Sequence, residues 1–203
     1  MKKYAVLHEP GDIVTLAGTR FVVLNVERRG SLPDSLFLLA LESVGASEFG
    51  SSNNYAESDL KKAVDKWLED MGKRGLDNAK LIPREIDLTT LDGSGCYGKL
   101  SVKAAPLTLD EAREYADIIP NAERWCWLAT GWSGPSKSDG DLALYVGSGG
   151  GWNRGYCSVS GGIRPALKAP SILFEDSEAG LDLSKIPTDD LLQEIHRRLA
   201  EKA

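Results

Sequence analysis

Metal-ligand and thiol chemistry is scarce in this chain. Its 203 residues include only two histidines and three cysteines, Cys96, Cys126 and Cys157, with no C-x-x-C spacing. An odd, scattered set excludes a disulfide framework and a thiolate zinc site, leaving reduced thiols as the expectation. No basic cluster offsets the formal net charge of -6, so a phosphate-backbone partner is not expected. Long apolar runs are missing too: the longest, Leu36 to Leu41, falls far short of the ~20 residues of a membrane span. The opening Lys2-Lys3-Tyr4-Ala5-Val6-Leu7 is cut by His8, Glu9 and Pro10 before a secretory apolar region can form. The expectation is therefore no secretion signal, no membrane and no nucleic acid.

What is present is globular composition, 42% hydrophobic and 27% charged, enough for a folded core. Glycine is enriched at 21 residues and concentrated between Gly93 and Gly162, where tight turns and recognition loops are expected. The pattern predicts strands at 13–16, 21–26 and 36–41 and a polar loop over 47–54. Leu60, Ala63, Val64, Trp67, Leu68 and Met71 recur at helical spacing behind a Ser58 cap, with Gly72 or Gly75 as the stop. No clean period runs through 82–102, which reads as loop. Thr108-Leu109-Asp110-Glu111 is a capping box that starts a helix to about Ile118, stopped by Pro120. Short strands are expected at 125–130, 142–146, 156–159 and 163–167. An acidic linker then leads to a helix capped by Thr188 with an apolar stripe of Leu192, Ile195 and Leu199. The domain should span 4–170, the linker 171–187 and the appended helix 188–203.

Gly147-Ser148-Gly149-Gly150-Gly151 lacks the Lys-Ser or Lys-Thr and the helix of a phosphate loop, and reads as a flexible strand-to-strand connection. Asp139-Gly140-Asp141 offers two carboxylates without further acidic ligands nearby, so no metal is expected, and no cofactor. Aromatics carry more signal: Trp125, Trp127, Trp132 and Trp152 are four of the five tryptophans, joined by Tyr145 and Tyr156. Trp125 and Trp127 share a strand face and read as core, with Cys126 buried between them. Trp132 and Trp152 sit among glycines and polar residues. Two readings stand open for them: a recognition surface with Lys137, Ser148, Asn153, Arg154 and Tyr156, or rings plugging the side of a small sheet.

Three blocks in order, Asp87-Leu88-Thr89-Thr90-Leu91-Asp92-Gly93, Trp125-Cys126-Trp127-Leu128-Ala129-Thr130 with Trp132-Ser133, and Gly162-Ile163-Arg164-Pro165-Ala166-Leu167, resemble a phage- and prophage-associated family of unknown function from Gram-positive bacteria. Gly11-Asp12, Phe21 to Leu24 and Ser51-Ser52-Asn53-Asn54 fit the same pattern. That family is similar to the C-type-lectin-like superfamily, near the formylglycine-generating enzymes and the variable proteins diversified by retroelements. The resemblance implies an α+β, loop-rich, C-type-lectin-like domain with two helices flanking small twisted antiparallel sheets, and ligand loops between the late strands. Trp152-Asn153-Arg154 stands where calcium-dependent lectins carry Trp-Asn-Asp, replacing a carboxylate with a cation. The closely spaced cysteine pair and the histidines of catalytic relatives are missing, so no enzyme is expected. Gly131 stands where members commonly have Pro, which implies a freer Trp132 loop. Arg164 is assigned to the scaffold through a structural ion pair or backbone contacts.

The functional expectation is a non-catalytic binding module of phage or prophage origin that recognises a protein or glycan through Trp132, Lys137, Ser148, Trp152, Asn153, Arg154 and Tyr156. The alternative is a cytoplasmic phage regulatory or anti-defence protein that binds a host factor. Either implies the host cytoplasm or a virion as its location. The stripe Leu192, Ile195, Leu199 is expected to dock on its own domain, on a second copy or on a host protein.

Overall fold

The chain first reverses at Ala17 and Gly18, both at positive φ (46° and 75°), where β1 (Ile13–Leu16) returns as β2 (Thr19–Arg29). Two consecutive left-handed residues match the twist of a tight antiparallel hairpin. The structure is a computed structural model that describes residues 8–30, 32–174, 188, 189 and 192. β3 (Leu32–Ala40) pairs with β2, and the sheet is completed by β12 (Pro165–Pro170) and β7 (Ala104–Pro106), in the order β1-β2-β3-β12-β7.

This sheet is buried on both faces. Val23, Leu36, Leu38 and Leu167 belong to one core with the helix α1 (Asp59–Lys73), while Val22, Leu24, Leu39 and Ala166 belong to another with α2 (Leu109–Glu114). That is why Phe21-Val22-Val23-Leu24 is apolar throughout rather than alternating. A second five-stranded sheet has the order β10-β9-β8-β11-β4: β10 (Trp152–Tyr156), β9 (Leu142–Val146), β8 (Cys126–Gly131), β11 (Gly161–Ile163) and β4 (Gly45–Ser47). Its strands pair antiparallel except β11 with β8, which run parallel. Leu128 and Leu144 of this sheet complete the α2 core. The fold is thus α+β and predominantly sheet, with α1 and α2 its helices of more than one turn among the described residues.

Both helix starts are written locally. The Ser58 hydroxyl accepts from the Lys61 amide at 2.9 Å, and the Thr108–Glu111 capping box is complete in both directions. Glu111 also pairs with the buried Arg84 guanidinium, which donates to the carbonyls of Ala105 and Pro106 at 2.9 and 3.1 Å and so ties α2 to β7.

Several expectations need correction. Residues 82–102 are not all loop: β5 (Arg84–Asp87) pairs antiparallel with β6 (Lys99–Val102). A strand this short, with Ile86 its single buried side chain, leaves too little alternation to detect. The helix expected to reach Ile118 ends at Glu114, and turns carry the chain to Pro120. The strand expected over 156–159 lies at Trp152–Tyr156 instead, because an exposed edge strand is polar and reads as loop. Beyond β12, Ser171–Phe174 forms a 3-10 turn that buries Phe174. Most of the expected linker and terminal helix lies outside the described residues, including Ile195 and Leu199; Leu192 is exposed. No helix among the described residues is long and apolar enough to cross a membrane.

Arg164 is the single residue between β11 and β12, at the point where the chain leaves one sheet for the other. Its Nε donates to the Ala40 carbonyl at 2.8 Å and a terminal nitrogen donates to the Leu41 carbonyl at 3.0 Å. Of the two roles assigned to it from sequence, backbone contacts are what it makes.

Candidate ligand face

β9 and β10 are joined by the turn 147–151, in which the Gly147 amide donates to the Gly151 carbonyl at 2.8 Å and the Gly150 amide to the Gly147 carbonyl at 2.9 Å. Gly150 has a φ of 82°, and a Cβ there would meet the Asn121 side-chain oxygen at 2.8 Å. Both facts require glycine and bring the segment after α2 against the turn. Between that segment and the second sheet opens a cavity of about 110 Å³ lined by Ala112, Ile119, Ala122, Leu128, Val146 and Trp152, with Cys126 and Arg164 also on its wall.

Trp152 stands at the lip, 45% exposed, with the Arg113 guanidinium 5.5 Å from its ring centre. Two residues on, Arg154 lies over the Trp132 ring at 4.2 Å. Cation–π packing of this kind holds long side chains in place at a surface while leaving the rings accessible from one side. Tyr156, 62% exposed, follows on the same strand face. The register opposes Trp152, Arg154 and Tyr156 to Val146, Leu144 and Leu142, so one face of the hairpin carries an outer row of aromatics and a cation over an apolar inner row.

The expected site residues therefore divide. Trp132, Trp152, Arg154 and Tyr156 are brought together, and Ser148 is exposed in the adjoining turn. Asn153 points to the opposite strand face, paired with Tyr145, and its side-chain oxygen accepts from the Arg154 amide at 2.8 Å. Lys137 is held by an ion pair to Asp92 at 2.5 Å. Asp92 also accepts from the Thr90 hydroxyl and the Ser94 amide; the Lys137 ammonium first, then the Thr90 bond, holds its carboxyl far below the usual carboxylate range.

Trp132 is half-buried rather than displayed on a free loop. Its amide donates to the Leu142 carbonyl at 2.9 Å and its carbonyl accepts from Asp92 at 3.3 Å. The preceding Gly131 packs against Asn53, whose amide nitrogen donates to the carbonyls of Ser133 and Leu142 at 2.8 and 3.0 Å. Glycine at 131 does not loosen this segment; it permits the close approach that pins it.

On the other side of the sheet Trp127 meets Phe49, Trp125 and Tyr145 edge-to-face, with Trp127 and Phe49 in the core and Trp125 and Tyr145 packed against it, and Cys126 is buried in the same strand. Burial pushes the Cys126 thiol up and the Cys157 thiol up to about 12, the reverse of an activated nucleophile. Among the described residues no group of three or more His, Cys, Asp or Glu side chains is placed to hold a metal ion.

Sequence reasoning missed Arg113 and the segment 119–122, which build the far wall of the cavity. Their signal was faint: Ile118-Ile119-Pro120 is an apolar run continuing past a helix that had already ended. Compared with family models, curated proteins and solved structures, the chain matches none of them.

Proposed function

We propose that this chain is a non-catalytic binding module that holds a protein or glycan ligand against Trp152, Arg154 and Tyr156, above the apolar cavity. The observation that carries it is Trp152 itself, a large ring left half-exposed at the mouth of an apolar cavity while Trp127 in the neighbouring strand β8 is packed away. An aromatic lip, two guanidiniums and a fixed glycine turn are the composition of a recognition surface. The buried thiols support the non-catalytic part. The order of the motif blocks supports a phage or prophage origin and a C-type-lectin-like core, with the ligand face on the late strands.

The test is a glycan array and a pull-down from lysate of a Gram-positive host, using the full chain and the Trp152→Ala and Arg113→Ala variants. Both should weaken ligand binding by more than ~1 kcal/mol with the melting temperature nearly unchanged. If both melt early and neither alters binding, the side chains are packing groups and this reading fails.

A further inference from the structure

Among the described residues strand β10 is an edge, paired on one side only with β9. Its backbone polarity follows from the bonds at the two ends of the pairing. Gly147 bonds Gly151 and the Cys157 amide donates to the Asp141 carbonyl at 2.7 Å, so these are hydrogen-bonded pairs in one continuous register. Every second pair between them, Tyr145 with Asn153 and Ala143 with Gly155, is therefore of the same type. Trp152, Arg154 and Tyr156 fall at the alternate positions and direct their amides and carbonyls away from β9, to the open edge.

Two of those outward groups are occupied. The Arg154 amide donates to the Asn153 side chain, and the Tyr156 carbonyl accepts from the Val159 amide at 2.9 Å. Among the described residues the Trp152 amide and carbonyl, the Arg154 carbonyl and the Tyr156 amide have no backbone partner and remain to accept a strand. The same residues carry the exposed aromatic and cationic row, so backbone and side chains point a ligand to one place.

We propose that this edge binds an extended acidic segment of another protein by strand addition, a reading that rests on the binding-module function and names its ligand class. Charge selects the occupant. Arg154 has no carboxylate partner among the described residues, whereas Arg113 is paired with Asp110 at 3.3 Å, so Arg154 is the cation that this row offers, on a chain of net charge -6. Carboxylates at alternate positions of an added strand would face that row. A second copy is disfavoured by the same charge: two β10 strands paired antiparallel over their full length set Arg154 directly opposite Arg154, and like charges so placed repel. Asn153 is then a latch that covers the central amide until a peptide displaces it.

The experiment pans a displayed library of random dodecapeptides against the full chain, then measures synthetic peptides by fluorescence anisotropy. Acidic, proline-free sequences should be enriched. Arg154→Glu should weaken them about 10-fold or more, and Asn153→Ala, which frees the amide, should strengthen them about 3-fold. A scan of N-methylated peptide amides should alternate, with losses of about 10-fold at every second position, because only alternate amides face the edge. Enrichment of no acidic peptide overturns the proposal. So does uniform tolerance of N-methylation; peptide binding still lost in Trp152→Ala would then leave the module reading standing without strand addition. A concentration-dependent dimer that Arg154→Glu strengthens or weakens, with no peptide bound, would make a second copy the occupant and also overturns it.

Discussion

The side-chain amide of Asn53 rests directly against the Cα of Gly131, so close that a Cβ on residue 131 would lie 2.9 Å from it. Asn53 is fully buried, and besides its two donated bonds it accepts from the Tyr97 hydroxyl at 2.6 Å. One side chain thus joins the segment before α1, β8, the Ser133 turn and the start of β9, and it fixes the height of Trp132 beneath Arg154.

Asn53→Ala removes the donor to the Ser133 carbonyl, one of two donors to the Leu142 carbonyl and the acceptor of the Tyr97 hydroxyl, and is expected to cost about 2 to 3 kcal/mol. Gly131→Ala should cost about 1 to 3 kcal/mol through overpacking. Because the first change removes the atoms the second collides with, the double variant should lose less than the sum. Urea unfolding of the three variants checks this, and strict additivity would mean that the two residues do not touch.

A second outcome concerns acid. The Asp92 carboxyl is depressed in the fold by Lys137 and Thr90. A depressed acid contributes stability that is fully present above its unfolded value of about 3.9 and is lost as pH falls through the folded value. Asp92→Asn should therefore lower the melting temperature at neutral pH, and its gap from the parent should shrink steadily below about pH 4. A gap that stays constant from about pH 7 to about pH 2.5 would show that ionisation of Asp92 is not what binds the Lys137 loop.

How far the fold could be read depended on burial. Leu60, Val64 and Met71 form the buried stripe of α1, and the helix was legible with its cap, although Trp67 and Leu68, read as equal members, are only partly buried. The capping box of α2 was legible because it is purely local. The hairpin of Arg84–Asp87 with Lys99–Val102 was not, since its partners are brought together by turns and an ion pair, Glu85 with Lys99, rather than by an apolar period. At the candidate site, glycine and aromatic composition found Trp152, Arg154 and Tyr156 but not their strand. Composition says which residues gather at a surface; which of them share a face depends on register, and register was set by the distant pairing of Asp141 with Cys157. Lys137 shows the limit of exposure as a guide, because its charge is taken up by Asp92, 45 residues earlier in the chain.

Arg164 sets the last expectation. It is buried at the crossing between the two sheets, and burial first of all lowers its pKa, with Cys126 and Glu42 acting the other way. The guanidinium stays tolerable there because it spreads its charge over the Ala40 and Leu41 carbonyls at the end of β3, so its role is to tie the end of β3 in one sheet to the point where the chain leaves β11 of the other. Arg164→Met keeps much of the stem packing but leaves both carbonyls without a donor, at an expected ~2 to 4 kcal/mol. Arg164→Lys keeps the charge and loses the planar fork, so it should recover little of that. Chemical denaturation followed by tryptophan fluorescence, with Trp125 and Trp127 in the neighbouring core, measures both. A parent-like midpoint in Arg164→Met would show that the sheets hold together without the guanidinium, and a lysine variant as stable as the parent would show that charge alone suffices.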